Sequence, residues 1–218
     1  MRRILAILLG LSAMVVSAGP APSEPTPEAI RSAAGKAMPL IQKSVEEYPH
    51  HRTCFSCHHQ AIPALALSLA KERGIATGET TLRDIAEHTE ADLESALGDY
   101  KKGKGQPGGV ERAGYALFTL ETTGHPHGEV TSAVAEYLLV AQPDRDHWRP
   151  QSNRPPSEAS DFTATYLAVR ALQTFGAADQ KERIAGRLNA ARGWLLAAKP
   201  RDNEDRVFRL FGGKAAGM

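Results

Sequence analysis

From Ile30 to Phe211 the apolar positions of this chain recur with the period of a helix. Ile30, Ala33, Ala34, Ala37, Ile41 and Val45 mark one face of a first helix, which Pro39 is expected to kink or end. Pro63 interrupts the next segment, so a turn or short helix is expected at 54–60 and a better one from 62 to 73. Leu82, Ile85, Ala86, Thr89, Leu93, Ala96, Leu97 and Tyr100 form a long stripe, ended by the loop Gly103–Gly109. Val110 to Thr123 reads as a helix stopped by Gly124. Val130, Ala133, Val134, Tyr137, Leu138 and Ala141 mark another, stopped before Pro143. An irregular loop runs from Pro143 to Ser157, and helices follow at about 159–175, 180–198 and 203–211. No segment alternates with period two for long enough to make a strand, so the predicted class is all-α.

A repeat underlies this pattern. Gly74, Gly124 and Gly176 each close a helix, at intervals of about 50 residues. Ala64-Leu65-Ala66-Leu67-Ser68-Leu69, Tyr115-Ala116-Leu117-Phe118-Thr119-Leu120 and Tyr166-Leu167-Ala168-Val169-Arg170-Ala171-Leu172 precede them. Tyr137 to Pro143 matches Trp194 to Pro200. A hairpin of about 50 residues cannot bury its apolar face alone, so it stacks on its copies.

The one cluster of reactive residues is Cys54-Phe55-Ser56-Cys57-His58. It holds both cysteines of the 218-residue chain. Cys-x-x-Cys-His is the attachment signal for c-type haem. If the two thiols share a helical turn, both can bond one porphyrin, and His58 can bind the iron as proximal ligand. Met38 and His88 are the candidate distal ligands, Met38 with a core-packing alternative. Phe55 and Ile62 are placed to pack against a porphyrin. Two other uses of the segment stay open. One is a Cys54–Cys57 disulfide. The other is a zinc site drawing on Cys54, Cys57 and two of His50, His51, His58 and His59. His125, His127 and His147 fall in loops.

The N-terminus bears on compartment. Met1-Arg2-Arg3, the apolar run Ile4–Val16 and Val16-Ser17-Ala18 read as a signal peptide cleaved after Ala18. Its apolar core is too short for a membrane span of about 20 residues, so the mature chain is expected in a periplasm or outside the cell, without a stable span. Gly19–Pro27 is a Pro-rich tether. The expected organisation is therefore signal peptide 1–18, linker 19–27, first helix and Cys-x-x-Cys-His-His segment 28–60, and helical repeats 61–218. An apolar content of 42% supports a packed core, and a net charge of +1 with scattered basic residues gives no support to nucleic-acid binding.

Ser157-Glu158-Ala159-Ser160-Asp161-Phe162-Thr163-Ala164-Thr165, with Leu167 to Leu172 and Ala190-Ala191-Arg192-Gly193-Trp194-Leu195-Leu196, resembles the repeats of squalene–hopene cyclases and related terpenoid cyclases and prenyltransferases. Cys54 to Gln60 is similar to a Cys-x-x-Cys-His-His-Gln segment that precedes the repeats in exported bacterial proteins of that kind. The resemblance covers roughly residues 60–218 and implies an α/α-toroid around an apolar cavity. With about three hairpins, the last cut short, the toroid would be incomplete. Catalytic members carry a D-x-D-D-T-A motif; at that place this chain has Ala159-Ser160-Asp161-Phe162, and a single acid does not make a strong general acid. Asp161 reads instead as a helix N-cap. Asp144-Arg145-Asp146-His147 also lacks the last acid. Cyclase chemistry is not expected. The reading is a haem c protein for electron transfer, sensing or docking, with a redox or protein partner. The alternative is a haem-free scaffold for a protein or a small apolar ligand such as a lipid or isoprenoid.

Overall fold

A computed structural model describes residues 24–155 and 158–218, without the side chain of His58. The signal peptide and most of the tether lie outside the described residues. Within them the chain is helical and has no strand; a lone bridge joins Arg154 to Glu158. The helices are α1 (Pro27–His51), α2 (Ile62–Glu72), α3 (Thr81–Glu94), α4 (Leu97–Lys101), α5 (Gly109–Thr122), α6 (Glu129–Val140), α7 (Asp161–Phe175), α8 (Lys181–Ala197) and α9 (Asn203–Ala215). No helix among the described residues is long and apolar enough to cross a membrane.

Most helices fall where the periodicity puts them. Two local expectations are corrected and one is narrowed. Of the two outcomes expected at Pro39, a kink or an end, the helix does not end: α1 runs on through both Pro39 and Pro49. The carbonyl that Pro39 cannot satisfy belongs to Gly35, an exposed residue, so water can take its place. The first half of the α1 stripe is not a buried face. Ile30 is exposed, and burial falls on Met38 and Val45, with Ile41 partly covered. The long stripe at 82–100 is divided into α3 and α4, because Ser95 and Ala96 close α3 with a tight turn.

The helices form two rows. α2, α5, α7 and α9 lie side by side, each touching the next. α4, α6 and α8 stand behind, with α6 against both α5 and α7 and α8 against both α7 and α9. Close approach within the front row needs a small residue: a Cβ on Gly114 of α5 would lie 2.9 Å from the Leu167 Cβ of α7. The repeat glycines do two different jobs. Gly74 and Gly124 end their helices with φ of 69° and 73°, where glycine is favoured. Gly176 has φ of −66°, and there the want of a side chain makes room for Ile184 and the Leu172 carbonyl.

The long loop between α6 and α7 is pinned at its centre. The Trp148 ring is fully buried, and its Nε1 donates to the Leu138 carbonyl at 2.8 Å. The Trp148 backbone also exchanges hydrogen bonds with Thr165 Oγ1, at 3.2 Å each way. Beside it, His147 bridges Asp146 (Nδ1 to Oδ1, 2.7 Å) and Asp161 (Nε2 to Oδ2, 3.5 Å) and stacks on Trp194.

Burial opposes charge on His147, but its hydrogen bonds to Asp161 and Asp146 outweigh that and raise its pKa above 6.5. Its folded-state pKa is therefore above the unfolded one. Its stabilising effect is complete below pH 6.5 and is lost as pH rises through the raised value. His147→Gln is expected to flatten this part of the profile. Melting temperatures of both proteins from pH 6 to 9 check it; parallel curves would refute the assignment.

Candidate functional site

The Cys-x-x-Cys-His segment joins α1 to α2. It is less helical than its spacing suggests. Cys54 lies in a bend, Ser56 is extended (φ −133°, ψ 124°), and Cys57 begins a π-helical turn, Cys57–Ala61. The two thiols are therefore not on one helical turn, which corrects the expected geometry. Two contacts and one missing donor set the turn. Ser56 Oγ caps it by accepting from His59 N at 3.4 Å. Gln60 reaches back, its Oε1 accepting from Ser56 N at 2.7 Å. Pro63 has no N–H to offer the His59 carbonyl, so the ladder widens just before it.

Both cysteines are free thiols, and they face unlike surroundings. Cys54 is exposed, 3.6 Å from the Tyr48 hydroxyl. Cys57 is buried, and burial together with Glu158 and Glu111 holds its thiol well above the usual range. Both line one cavity of about 370 Å³, with Tyr48, Phe55, Arg112 and Arg154. Cys54 and Arg112 also border a second cavity of about 500 Å³, where His88 and Asp92 stand. The segment thus lies between two recesses, bounded by the end of α1, α3, the start of α5 and the loop before α7.

His88 is brought to the segment: its Nε2 is 3.5 Å from the Cys54 carbonyl oxygen and its ring meets Tyr48 edge-on. Met38 is elsewhere, buried among Val45, Ala64, Leu67 and Ile85. Phe55 is buried beside Cys57 in the main core, whereas Ile62 is exposed. His59 stacks on Tyr48 with ring centres 4.8 Å apart. His50 and His51 end α1 and are exposed, and His51 lies 3.9 Å from Glu47. His125 pairs with Glu90 at 3.1 Å, and His127 Nε2 meets the Thr174 carbonyl at 3.0 Å. Among the described residues no three His, Cys, Asp or Glu side chains converge as a metal site; the His58 side chain is outside that set.

Asp161 is not the N-cap of α7. Ser160 is, its Oγ accepting from the N–H groups of Phe162 and Thr163 at 3.2 Å and donating to Asp205 Oδ1 at 2.7 Å. Asp161 is the first helical residue and faces His147 and Arg149.

The most unusual part of the site was not singled out from the sequence. Two buried glutamates, Glu111 of α5 and Glu158 of the loop, meet at Ser152. Ser152 Oγ is 2.9 Å from Glu111 Oε2 and 3.2 Å from Glu158 Oε2. Arg154 pairs with Glu158 at 2.6 Å, and Arg112 with Asp92 at 2.6 Å. Burial raises the Glu111 pKa to about 7, against its hydrogen bonds from Ser152. Glu111 could have been noticed as a carboxyl one position from Val110, at the head of the apolar run Ala113–Phe118. Glu158 gave no such signal, because it lies in a loop rich in proline and polar residues.

The chain matches no family model, no curated protein and no solved structure.

Proposed function

We propose that this is an exported helical-repeat protein that carries c-type haem at Cys54 and Cys57, used for electron transfer, sensing or docking and not for cyclisation. The observation that supports it most is that both free thiols open on one cavity, with an imidazole, His88, against the backbone of Cys54. The residues present suit the group. The two thiols would form the thioethers and His58 would bind the iron; of the two candidates for a second ligand, His88 lies beside the segment and Met38 in a separate core. Phe55 gives an apolar wall; Arg112 and Arg154 also line the cavity, each already paired with an acid, Asp92 and Glu158. Bound haem supplies a one-electron couple. The two rows of helices are read as toroid repeats of the squalene-cyclase kind, as the repeat motifs suggest. A periplasmic or secreted location follows from the reading of residues 1–18.

Expression with a cytochrome c maturation system tests this. The purified protein is denatured and its pyridine haemochrome spectrum recorded. Covalent haem in the parent protein, with complete loss in Cys54→Ala/Cys57→Ala, is the expected result. Colourless protein holding one zinc per chain, or a Cys54–Cys57 disulfide found by mass spectrometry, would overturn it. His88→Ala is expected to keep the covalent haem but change its visible spectrum.

A further inference from the structure

The outer face of α9 has an unusual composition. Arg206, Val207, Leu210, Phe211 and Lys214 follow helical spacing and form one exposed arc. Val207 is 45% exposed, Leu210 73% and Phe211 50%. The inner face explains why the helix is held this way. Asp205 is fully buried between Ser160 and Arg201, and Glu204 Oε1 accepts from Thr163 Oγ1 at 2.7 Å. Gly212 lets α9 settle on α8, since a Cβ there would lie 3.2 Å from Leu195. The acids of α9 thus turn inward, and the exposed arc keeps only cations and large apolar side chains. The groove beside it, about 540 Å³, repeats the pattern: Pro200, Leu210 and Met218 with Arg206, Arg209 and Lys214, and no acid among the described residues.

We infer that this face of α9 docks on an anionic lipid bilayer, with Leu210 and Phe211 entering the headgroup–acyl boundary and Arg206 and Lys214 meeting lipid phosphates. Apolar residues flanked by cations along one helix are what such an interface binds. Charge disfavours a second copy seated symmetrically on the same face, because cations of one copy would lie against cations of the other. The inference does not depend on haem.

The test places a probe on the face itself. Phe211→Trp, in the whole chain, is titrated with vesicles of phosphatidylglycerol and phosphatidylcholine, and emission is compared with that of the same variant without lipid. A probe at 211 separates this face from any binding through the apolar run at 4–16. A blue shift is expected with anionic vesicles and not with pure phosphatidylcholine. Adding Arg206→Ala/Lys214→Ala should raise the lipid needed about 25-fold, roughly fivefold per cation, with the circular dichroism spectrum unchanged. No shift, an equal shift on neutral vesicles, or an unchanged lipid requirement in the charge variant would overturn the inference. So would a lipid-free dimer in sedimentation equilibrium that Leu210→Glu dissolves, because the face would then belong to another copy.

Discussion

Trp148→Ala is expected to cost about 3–5 kcal/mol of stability, the range for emptying a large aromatic site. The ring is fully buried, so its removal leaves a cavity as well as lost transfer energy. Two further losses accompany it. The Leu138 carbonyl at the end of α6 loses the indole N–H. The Arg187 guanidinium, now 4.2 Å from the ring, loses its aromatic platform in a setting where burial already lowers its pKa. For a domain whose net stability is of the order of 5–15 kcal/mol, this is a large fraction. The urea midpoint measures it. Trp148→Phe keeps most of the apolar volume and should cost much less, mainly the hydrogen bond at about 1 kcal/mol. Less than about 1 kcal/mol for Trp148→Ala would mean that Trp148 does not pin the loop. The loop matters to the site because Ser152, Arg154 and Glu158 lie on it, a few residues beyond Trp148. Loosening it should also expose Cys57, so thiol labelling of Cys57 should quicken in Trp148→Ala more than labelling of Cys54, which is already exposed.

Glu111→Gln is expected to stabilise the protein in alkali. The folded chain raises the Glu111 pKa from 4.5 to about 7, first by burial and despite the Ser152 hydrogen bonds. As pH rises above 4.5 the unfolded chain releases this proton before the folded one does, so folding loses stability until the pH has passed about 7. The full gap corresponds to roughly 3.5 kcal/mol at most, because each pKa unit is about 1.4 kcal/mol. Glutamine keeps an oxygen to accept from Ser152 and carries no charge to bury. Chemical denaturation should therefore show Glu111→Gln more stable than the parent by about 1–3 kcal/mol at pH 9 and nearly equal to it at pH 4. A variant less stable at pH 9 would mean that the carboxylate is well satisfied as an anion. Because Glu111 and Glu158 both press on Cys57, the variant should also quicken thiol labelling of Cys57 near neutral pH.

Much of this architecture was legible in the chain. Helix positions follow from apolar periodicity, because a helix needs only local hydrogen bonds and one covered face. The glycine stops at Gly74 and Gly124 were readable for the same reason, since a left-handed residue after a helix is a local event. The Cys-x-x-Cys-His spacing was readable, but its conformation was not. Spacing alone suggested one helical turn; Ser56, Gln60 and Pro63 instead make a bend and a π-helical turn. Asp161 suits a cap by its type, yet Ser160 takes the position, its hydroxyl also donating to Asp205, some 45 residues on in the chain.

By itself, then, the sequence determined the all-α class, the succession of helices and the one segment bearing thiols and imidazoles, because each of these rests on short-range pattern. Only the tertiary structure decided which residues surround that segment. Packing of α5 and the Trp148 loop against the π-helical turn buries Cys57 between Glu111 and Glu158 and leaves Cys54 exposed. The placing of α3 brings His88 to Cys54, while Met38 goes into a separate core. Those meetings join residues dozens of positions apart, and burial, which sets their charge and reactivity, belongs to the folded arrangement and not to any local stretch of chain.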